Sequence, residues 1–235
     1  MIPIVSLANF VSFLISLVLT TKLFVSYRDN AIPTIKYFFW CFALITIFFF
    51  LLATPGIFSS NGKLLEFSNL SAGLLAIPGV MFFTLIPMRL FRWQLLRSIY
   101  IVITICFAIA TTIIRLFGLE SLYSVQRGNF EFWLRPDNTY VVISWSLTGF
   151  FIFSSLLFAS ITFLAYGIKN KENRYIKIRS LILGVATFLL AITAATNYIL
   201  GATPSIFAYL TSSILAVVAL ILLGIGIFYK QRESN

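Results

Sequence analysis

The sequence predicts an all-α integral membrane protein, a seven-transmembrane-helix bundle with its N-terminus outside and its C-terminus cytoplasmic. Three observations lead to this prediction. Sixty per cent of the 235 residues are apolar and ten per cent are charged, whereas about a quarter of the residues in a soluble domain are charged. Seven apolar runs are long enough to cross a hydrocarbon core of about 30 Å as helices. Lysine and arginine concentrate in alternate connections, as they do in the cytoplasmic loops of membrane proteins.

The seven predicted spans form one domain, residues 1–235. They lie near residues 3–25, 35–58, 67–87, 95–117, 139–167, 177–200 and 206–229. A secretory signal peptide carries its cations ahead of its apolar run. The first cation here is Lys22, so we expect an uncleaved first span. Pro78 lies in the middle of the third span, where we expect a kink that neighbouring helices accommodate.

The distribution of cations predicts the orientation, because positive charge accumulates in cytoplasmic loops. Thirteen cations fall on one side of the spans: Lys22, Arg28, Lys36, Arg89, Arg92, Arg97, Lys169, Lys171, Arg174, Lys177, Arg179, Lys230 and Arg232. The other four are Lys63, Arg115, Arg127 and Arg135. This asymmetry predicts a multi-pass protein of the cell membrane. The net charge of +10 then reflects topology and contact with the lipid bilayer, and we expect no nucleic acid partner.

Polar side chains recur along several spans at intervals that place them on one face of a helix. In span six, for example, Thr193, Thr196 and Asn197 stand at positions i, i+3 and i+4. Many of these side chains lie in the outer half of the membrane in the predicted orientation. The candidate ligand-binding residues are Asn9, Ser144, Trp145, Thr148, Thr193, Thr196, Asn197, Tyr209 and Ser212.

Two interpretations of these polar faces stay open. Serine, threonine and small residues are the ordinary material of helix–helix contacts in lipid, where an interhelical hydrogen bond contributes about 0.6 kcal/mol. The alternative is a small polar pocket that opens outward. Asn197 favours the pocket, because a buried amide needs several hydrogen-bond partners that a ligand or a trapped water can supply.

The longest outer connection, Gly118 to Tyr140, also has two interpretations. Its sequence GLESLYSVQRGNFEFWLRPDNTY combines charges with aromatic residues. The first interpretation is an interfacial helix on the membrane surface, with Phe132 and Trp133 dipped into the headgroups. The second is a cap over a pocket. The first is favoured, because aromatic residues are enriched at both membrane surfaces.

The missing residue types exclude several kinds of chemistry. The sequence has no histidine, which excludes bis-histidine haem, the usual zinc sites of membrane hydrolases and serine–histidine pairs. No ionisable residue lies deep in a predicted span, and Arg115, at the end of span four, can snorkel to the interface. The outer acidic residues are Glu66, Glu120, Glu131 and Asp137, with no evident pairing into a metal or acid–base site. We therefore predict no enzyme activity, no metal, no cofactor and no proton-coupled pump.

The positions of the cysteines predict no disulfide, and two similar hexapeptides suggest an internal repeat. Cys41 and Cys106 lie inside apolar runs, so we expect free thiols. ATPGIF at the end of span two (53–58) and ATPSIF after span six (202–207) match at five of six positions. Spans one to three and five to seven would then be parallel repeats joined by span four, as in small sugar-type carriers.

One stretch resembles a known family. LFVSYRDNAIPTIKYFFWCFALITIFFFLLA, Leu23 to Ala53, resembles the start of the N-terminal seven-helix membrane sensor region of bacterial histidine kinases, in which a short basic inner loop leads into an aromatic-rich second span. No kinase part follows the seventh span before Asn235. The resemblance implies a sensor that binds an outer-side or lipid-borne ligand and signals to a separate cytoplasmic partner or within a homo-oligomer. The expected partner or lipid contacts are Lys169, Lys171, Arg174, Lys177 and Arg179.

Two other functions stay open: an uncoupled solute carrier of three-plus-one-plus-three helices, and a structural or assembly subunit. A carrier needs a polar lining through both leaflets, whereas a sensor pocket can stop halfway. The inner halves of spans six and seven are almost wholly apolar, which favours the sensor or the structural subunit. The polar faces of spans one and five continue to Thr20 and Thr162, which favours the carrier.

Overall fold

The structure is a computed structural model that describes residues 2–29, 32–59, 61–170, 172–200 and 205–229, with the backbone alone for 198–200. Its seven helices are α1 Ile4–Asp29, α2 Pro33–Phe58, α3 Gly62–Leu90, α4 Gln94–Phe117, α5 Thr139–Lys169, α6 Arg174–Leu200 and α7 Ile206–Phe228. All seven are long and apolar enough to cross a membrane. The predicted seven long apolar helices are therefore confirmed. The largest shift of a boundary is at the start of α3, which begins at Gly62 rather than near residue 67.

Six of the helices form a closed ring. Around it, α1 packs against α2, α2 against α3, α3 against α5, α5 against α6, α6 against α7, and α7 against α1. Hydroxyl groups join neighbouring helices at several points. Thr20 Oγ1 lies 2.8 Å from Thr46 Oγ1 between α1 and α2, and Ser160 Oγ donates to the carbonyl of Gly184 at 2.8 Å between α5 and α6. The ring therefore encloses a central axis.

Helix α4 lies outside this ring, against α3 and α5. Its buried residues, Thr104, Thr111 and Arg115, are spaced by seven and four positions, so they share one face. That face is bonded to α5, because Ser144 Oγ donates to the carbonyl of Thr111 at 3.1 Å. The opposite face of α4 exposes large apolar side chains. This arrangement suits a helix whose outer surface contacts lipid.

Two ends of the bundle differ in structure. At one end the chain adds a three-stranded sheet of β1 Ile2–Pro3, β2 Tyr123–Arg127 and β3 Phe130–Leu134, in the order β1-β3-β2. β1 runs parallel to β3, and β2 is antiparallel to it. We call this the sheet end. It is where α1, α3, α5 and α7 begin, and Leu122 N–H donates to the carbonyl of Gly62 there at 3.3 Å.

The favoured prediction of an interfacial helix between Gly118 and Tyr140 is wrong, because this segment contains the β2–β3 hairpin. The sequence FEFWL of β3 alternates apolar residues on one face, which is the period of a strand. Gly128 begins the two-residue turn with a φ of 62°, a conformation that glycine adopts readily. Phe132 is fully buried under the sheet rather than dipped into headgroups.

The half of the bundle away from the sheet is a packed apolar core. Phe83 lies at its centre, with ring centroids 6.0 Å from Phe38 and 5.9 Å from Phe163, both at steep angles. Leu23 and Leu223 are fully or almost fully buried beside them. The helices approach closely here, since a Cβ at Gly184 would lie 2.6 Å from Leu164 Cγ. This half has the dense packing of a protein interior.

At the opposite end from the sheet, which we call the basic end, side chains of α6 close the C-terminus of α7. Arg179 Nε donates to the carbonyl of Gly226 and its Nη2 to that of Ile227, both at 3.1 Å. These carbonyls have no partner within the helix, and a cation beside them is favoured by the helix dipole. Arg179 is therefore half-buried and engaged within the bundle, whereas Arg174 is exposed.

Replacing Arg179 by methionine should destabilise the bundle. A hydrogen bond to a charged group contributes about 1.5–3 kcal/mol, so losing the two bonds to α7 should lower the free energy of unfolding by about 2 kcal/mol. Denaturant titration of the purified protein in detergent measures this change. The matched control, Arg174→Met, should stay within about 0.5 kcal/mol. Equal losses in the two variants would contradict the capping role.

Candidate functional site

A cavity of about 330 Å³ lies on the axis of the ring, in the half nearer the sheet. All seven helices and the segment 122–135 contribute side chains to its lining. Its size falls at the lower end of the range for small-molecule sites, about 300–1,000 Å³. The deepest side chains are apolar and include Val80, Leu156 and Leu220, and the phenylalanine core lies beyond them. The cavity therefore stops before the basic end.

Eight of the nine candidate ligand-binding residues line this cavity: Asn9, Ser144, Trp145, Thr148, Thr193, Asn197, Tyr209 and Ser212. Thr196 does not contribute to the lining, and its hydroxyl donates to the carbonyl of Ile192 at 2.6 Å. The structure thus brings together side chains from α1, α5, α6 and α7 that are far apart in sequence. These residues could be predicted from the sequence, because polar side chains in lipid-embedded helices turn toward the interior of the protein.

Several of the lining hydroxyls already donate to backbone carbonyls. Thr193 Oγ1 donates to Leu189 at 2.9 Å, and Ser212 Oγ donates to Tyr209 at 3.1 Å. Such bonds use the hydroxyl proton and leave the oxygen lone pairs as acceptors. The sequence analysis treated Asn197 as a buried amide that needs hydrogen-bond partners. That expectation is wrong, because the residue is exposed. It lies three residues before the last residue of α6, where the helix reaches the rim of the bundle.

A buried ion pair forms part of the wall on the side of α4. Arg115 Nη2 lies 2.6 Å from Glu66 Oε1, and Arg115 Nε donates to the same oxygen at 2.9 Å. The two side chains are 5% and 2% exposed. The prediction that Arg115 snorkels to the interface is therefore wrong, and its partner Glu66 was not anticipated. A signal was present in the sequence, since Glu66 precedes span three and Arg115 falls near the end of span four, at the same membrane depth.

The geometry of this pair leaves polar atoms unsatisfied. Both bonds converge on one carboxylate oxygen. Among the described residues, the buried side-chain atoms without a hydrogen-bond partner include Glu66 Oε2, Arg115 Nη1 and Trp133 Nε1. Arg115 and Trp133 line the cavity, and Glu66 lies behind Arg115 outside the lining. Leaving a buried donor unpaired costs about 1–3 kcal/mol. These unsatisfied atoms are enclosed by the protein behind the surface of the cavity wall.

Aromatic and cationic side chains meet at the mouth of the cavity. The guanidinium carbon of Arg115 lies 5.7 Å from the ring centroid of Trp145, and that of Arg135 lies 5.1 Å from it. These are cation–π distances. Phe132 of the sheet packs against Tyr209 of α7, with ring centroids 5.6 Å apart. The hairpin thus caps the cavity, as the second interpretation of this segment proposed.

The cavity lining is charged and aromatic at one end and apolar at the other. Its charged side chains, over the part of the chain that the structure describes, are Arg115 and Arg135, and no carboxylate lines it. The described residues contain no group of three or more His, Cys, Asp or Glu side chains arranged to hold a metal ion. The mouth is therefore cationic and aromatic, and the deep part is apolar. A mainly apolar lining with a few polar groups is the usual composition of small-molecule sites.

The polar faces of α1 and α5 do not extend the cavity toward the basic end. Thr20 is bonded to Thr46 of α2, as described above, and Thr162 Oγ1 donates to the carbonyl of Phe158 at 2.6 Å. Neither threonine lines the cavity. These hydroxyls therefore serve helix packing and helix backbone, as the packing interpretation proposed. The predicted repeat partner of ATPGIF falls partly at 202–204, outside the described residues.

No protein-family model and no curated protein matches this sequence.

Two glycines of α3 give opposite predictions. A Cβ at Gly73, which lines the cavity, would meet no atom within 4 Å, whereas one at Gly62 would lie 2.2 Å from the carbonyl oxygen of Leu122. Gly73→Ala should raise the free energy of unfolding by about 0.5–1 kcal/mol, because alanine favours the helix. Gly62→Ala should lower it by about 1–3 kcal/mol, because the sheet must shift. Denaturant titration measures both, and stabilisation by Gly62→Ala would contradict the docking of the sheet.

Proposed function

We propose that this chain is a seven-helix receptor module of the cell membrane, without catalytic activity, that binds a small or lipid-borne ligand in the axial cavity. Its N-terminus would lie outside and its C-terminus in the cytoplasm, and the signal would pass to a separate partner. The observation that carries the proposal is the cavity itself, which draws side chains from every helix and stops at a packed apolar core.

The cation distribution supports this orientation. The sequence divides the cations thirteen to four between the two sides of the spans, and the described members of the larger group lie toward the basic end, which the positive-inside rule directs to the cytoplasm. The cavity then opens toward the outer surface or the outer leaflet. The hairpin between α4 and α5 covers that mouth, so ligand entry would require the hairpin or its neighbours to move.

The closed inner half favours a receptor over the carrier. A solute leaving the cavity toward the cytoplasm would have to pass Phe38, Phe83 and Phe163, whose rings contact one another. The carrier stays as the second candidate, because one feature favours it. The ring places the triplets α1–α3 and α5–α7 side by side with α4 outside, an arrangement compatible with two parallel repeats.

Helices α6 and α7 offer a route for the signal. Both line the cavity through Thr193 and Ser212, and both meet at the basic end through Arg179. A ligand that shifts one of them against the other would therefore move the connection between α5 and α6. The exposed cations of that connection are Lys169, Arg174 and Lys177, and Lys171 lies outside the described residues. We propose this basic surface as the contact for a cytoplasmic partner, a second copy of the chain or anionic lipid.

Filling the cavity should abolish ligand binding. Gly73→Leu places a branched side chain into the cavity from a position where a Cβ meets no neighbour, whereas Gly73→Ala leaves most of the space open. Thermal unfolding of the protein in lipid nanodiscs, against a set of small metabolites and amphiphiles, reads out binding. A ligand at a hundred times its dissociation constant should add about 2.7 kcal/mol to stability.

We expect at least one compound to stabilise the parent and Gly73→Ala but not Gly73→Leu. Stabilisation that survives in Gly73→Leu would place the ligand elsewhere and contradict the proposal. Flux of the stabilising compound into proteoliposomes then separates the two candidates. No flux above that of empty liposomes is expected of a receptor, and protein-dependent flux would favour the carrier.

A further inference from the structure

Helix α4 lines the axial cavity although it lies outside the ring of six helices. Its contribution comes from Thr111, Thr112 and Arg115. The ring helices that it packs against are α3 and α5, and both of them also line the cavity. The cavity therefore passes between α3 and α5 to reach α4. The wall of the ring is incomplete there, and α4 covers the gap from the lipid side.

The side of α4 next to α5 is closed by side chains. The ring of Phe151 on α5 stacks on Tyr100 and on Phe107 of α4, with ring centroids 6.2 and 4.7 Å apart. One turn nearer the sheet, the carbonyl of Thr111 accepts the hydrogen bond from Ser144 described above. Aromatic stacking and this hydrogen bond thus hold α4 against α5 over several turns.

The side of α4 next to α3 is built differently. Toward the sheet, Glu66 and Arg115 join the two helices. Leu70 and Leu74 follow Glu66 at steps of four residues, so they lie on the face of α3 that turns to α4. Both leucines line the cavity, and yet Leu74 is 40% exposed. This combination of lining and exposure indicates a crevice between α3 and α4 that joins the cavity to the outer surface, beneath the ion pair.

The walls of this crevice suit an apolar molecule. Thr111 and Thr112 line the cavity about one turn from Arg115, and their hydroxyls donate to carbonyls of α4 itself at 2.9 and 2.6 Å. On the opposite wall, α3 contributes Leu70 and Leu74. An apolar chain can therefore lie between the two helices without leaving a hydroxyl proton unpaired.

The depth of the crevice decides which molecules meet it. Leu74 lies twelve residues after the start of α3 at Gly62 and sixteen before its end at Leu90, so it stands near the middle of the span. A hydrocarbon core of about 30 Å surrounds the middle of a spanning helix. Lipid chains are therefore the molecules at this opening, whereas headgroups and aqueous solutes lie nearer the ends of the helix.

The interior beyond the crevice also suits such a chain. Val80, Leu156 and Leu220 line the deep part of the cavity, whereas Arg135 and Asn69 stand toward the sheet. Apolar side chains around an unfilled space lack dispersion partners on one side, and a hydrocarbon chain supplies them. The apolar part of the lining is thus continuous with the crevice.

We propose that the axial cavity takes up a hydrocarbon chain of a membrane lipid, which enters sideways between α3 and α4, beneath the pair of Glu66 and Arg115. This inference rests on the proposed function, which makes the cavity a ligand site, and it makes the ligand a lipid-borne chain. It also identifies α4 as the neighbour of the hairpin that yields when the chain enters.

Photo-crosslinking with a lipid probe tests this route. The probe is a phosphatidylcholine that carries a diazirine on the distal half of one acyl chain. Full-length protein in nanodiscs that contain the probe is illuminated, and tandem mass spectrometry locates the modified residues. We expect modification of Ala216 and Leu220, which are buried residues of α7 that line the cavity. Ile221 of the same helix is exposed and serves as the reference for ordinary lipid contact.

Two substitutions narrow the crevice from opposite walls: Thr112→Phe on α4 and Leu70→Phe on α3. The matched control, Ile113→Phe, adds the same ring to the exposed face of α4. We expect each crevice variant to lower the modification of the buried α7 residues, relative to that of Ile221, at least fivefold. The control should leave this ratio unchanged. Thermal unfolding identifies the variants that fold, and the second wall decides the outcome if one substitution prevents folding.

The outcomes separate this inference from the proposed function. Modification of Ala216 and Leu220 that both crevice variants leave unchanged would overturn the lateral route, while the cavity stays a site for a chain. A loss in Ile113→Phe as large as in the crevice variants would overturn the route as well. Modification confined to exposed residues such as Ile221 would overturn the uptake of a lipid chain, and the compound set tested on Gly73→Leu then decides the cavity.

Discussion

Polar side chains in lipid-embedded helices must find partners inside the protein, and the rest of this structure depends on that constraint. The clearest case is the pair of Arg115 and Glu66, whose atoms lie 2.6 Å apart with almost no exposure. A buried charge without its partner would be strongly destabilising. The pair therefore fixes the end of α4 against the start of α3. The polar face of α4 therefore turns toward its neighbours α3 and α5.

The same constraint divides the bundle into two halves. Toward the basic end, the hydroxyls bond to backbone or to one another, as Thr20 does with Thr46, and aromatic rings fill the remaining space. Toward the sheet end, side chains from all seven helices, polar ones from every helix except α2, surround a space that the protein does not fill. The hairpin covers this space, with Phe132 buried beneath it. Polar side chains without a packed neighbour are thus concentrated around the cavity, and the other half is densely packed.

The sequence predicted what depends on local pattern. Hydropathy located all seven helices, and the spacing of polar residues anticipated eight members of the cavity lining, Thr193 and Ser212 among them. It did not anticipate pairing between distant segments. The bond between Glu66 and Arg115 joins two helices, and Phe132 is buried against residues of α1 and α7. The hairpin could have been predicted from the sequence, since apolar residues alternate in FEFWL and Gly128 lies at the turn. The aromatic residues near a membrane surface favoured an interfacial helix instead.

The proposed function requires that molecules outside the cell can reach the cavity when the hairpin or its neighbours move, and thiol labelling measures this access. Ala216 is a buried residue of α7 that lines the cavity. In a Cys106→Ser background, Ala216→Cys is treated on intact cells with a membrane-impermeant, anionic thiosulfonate. We expect labelling from outside that Gly73→Leu slows at least tenfold. Labelling only after the reagent reaches the cytoplasm, or at a rate that Gly73→Leu does not change, would contradict it.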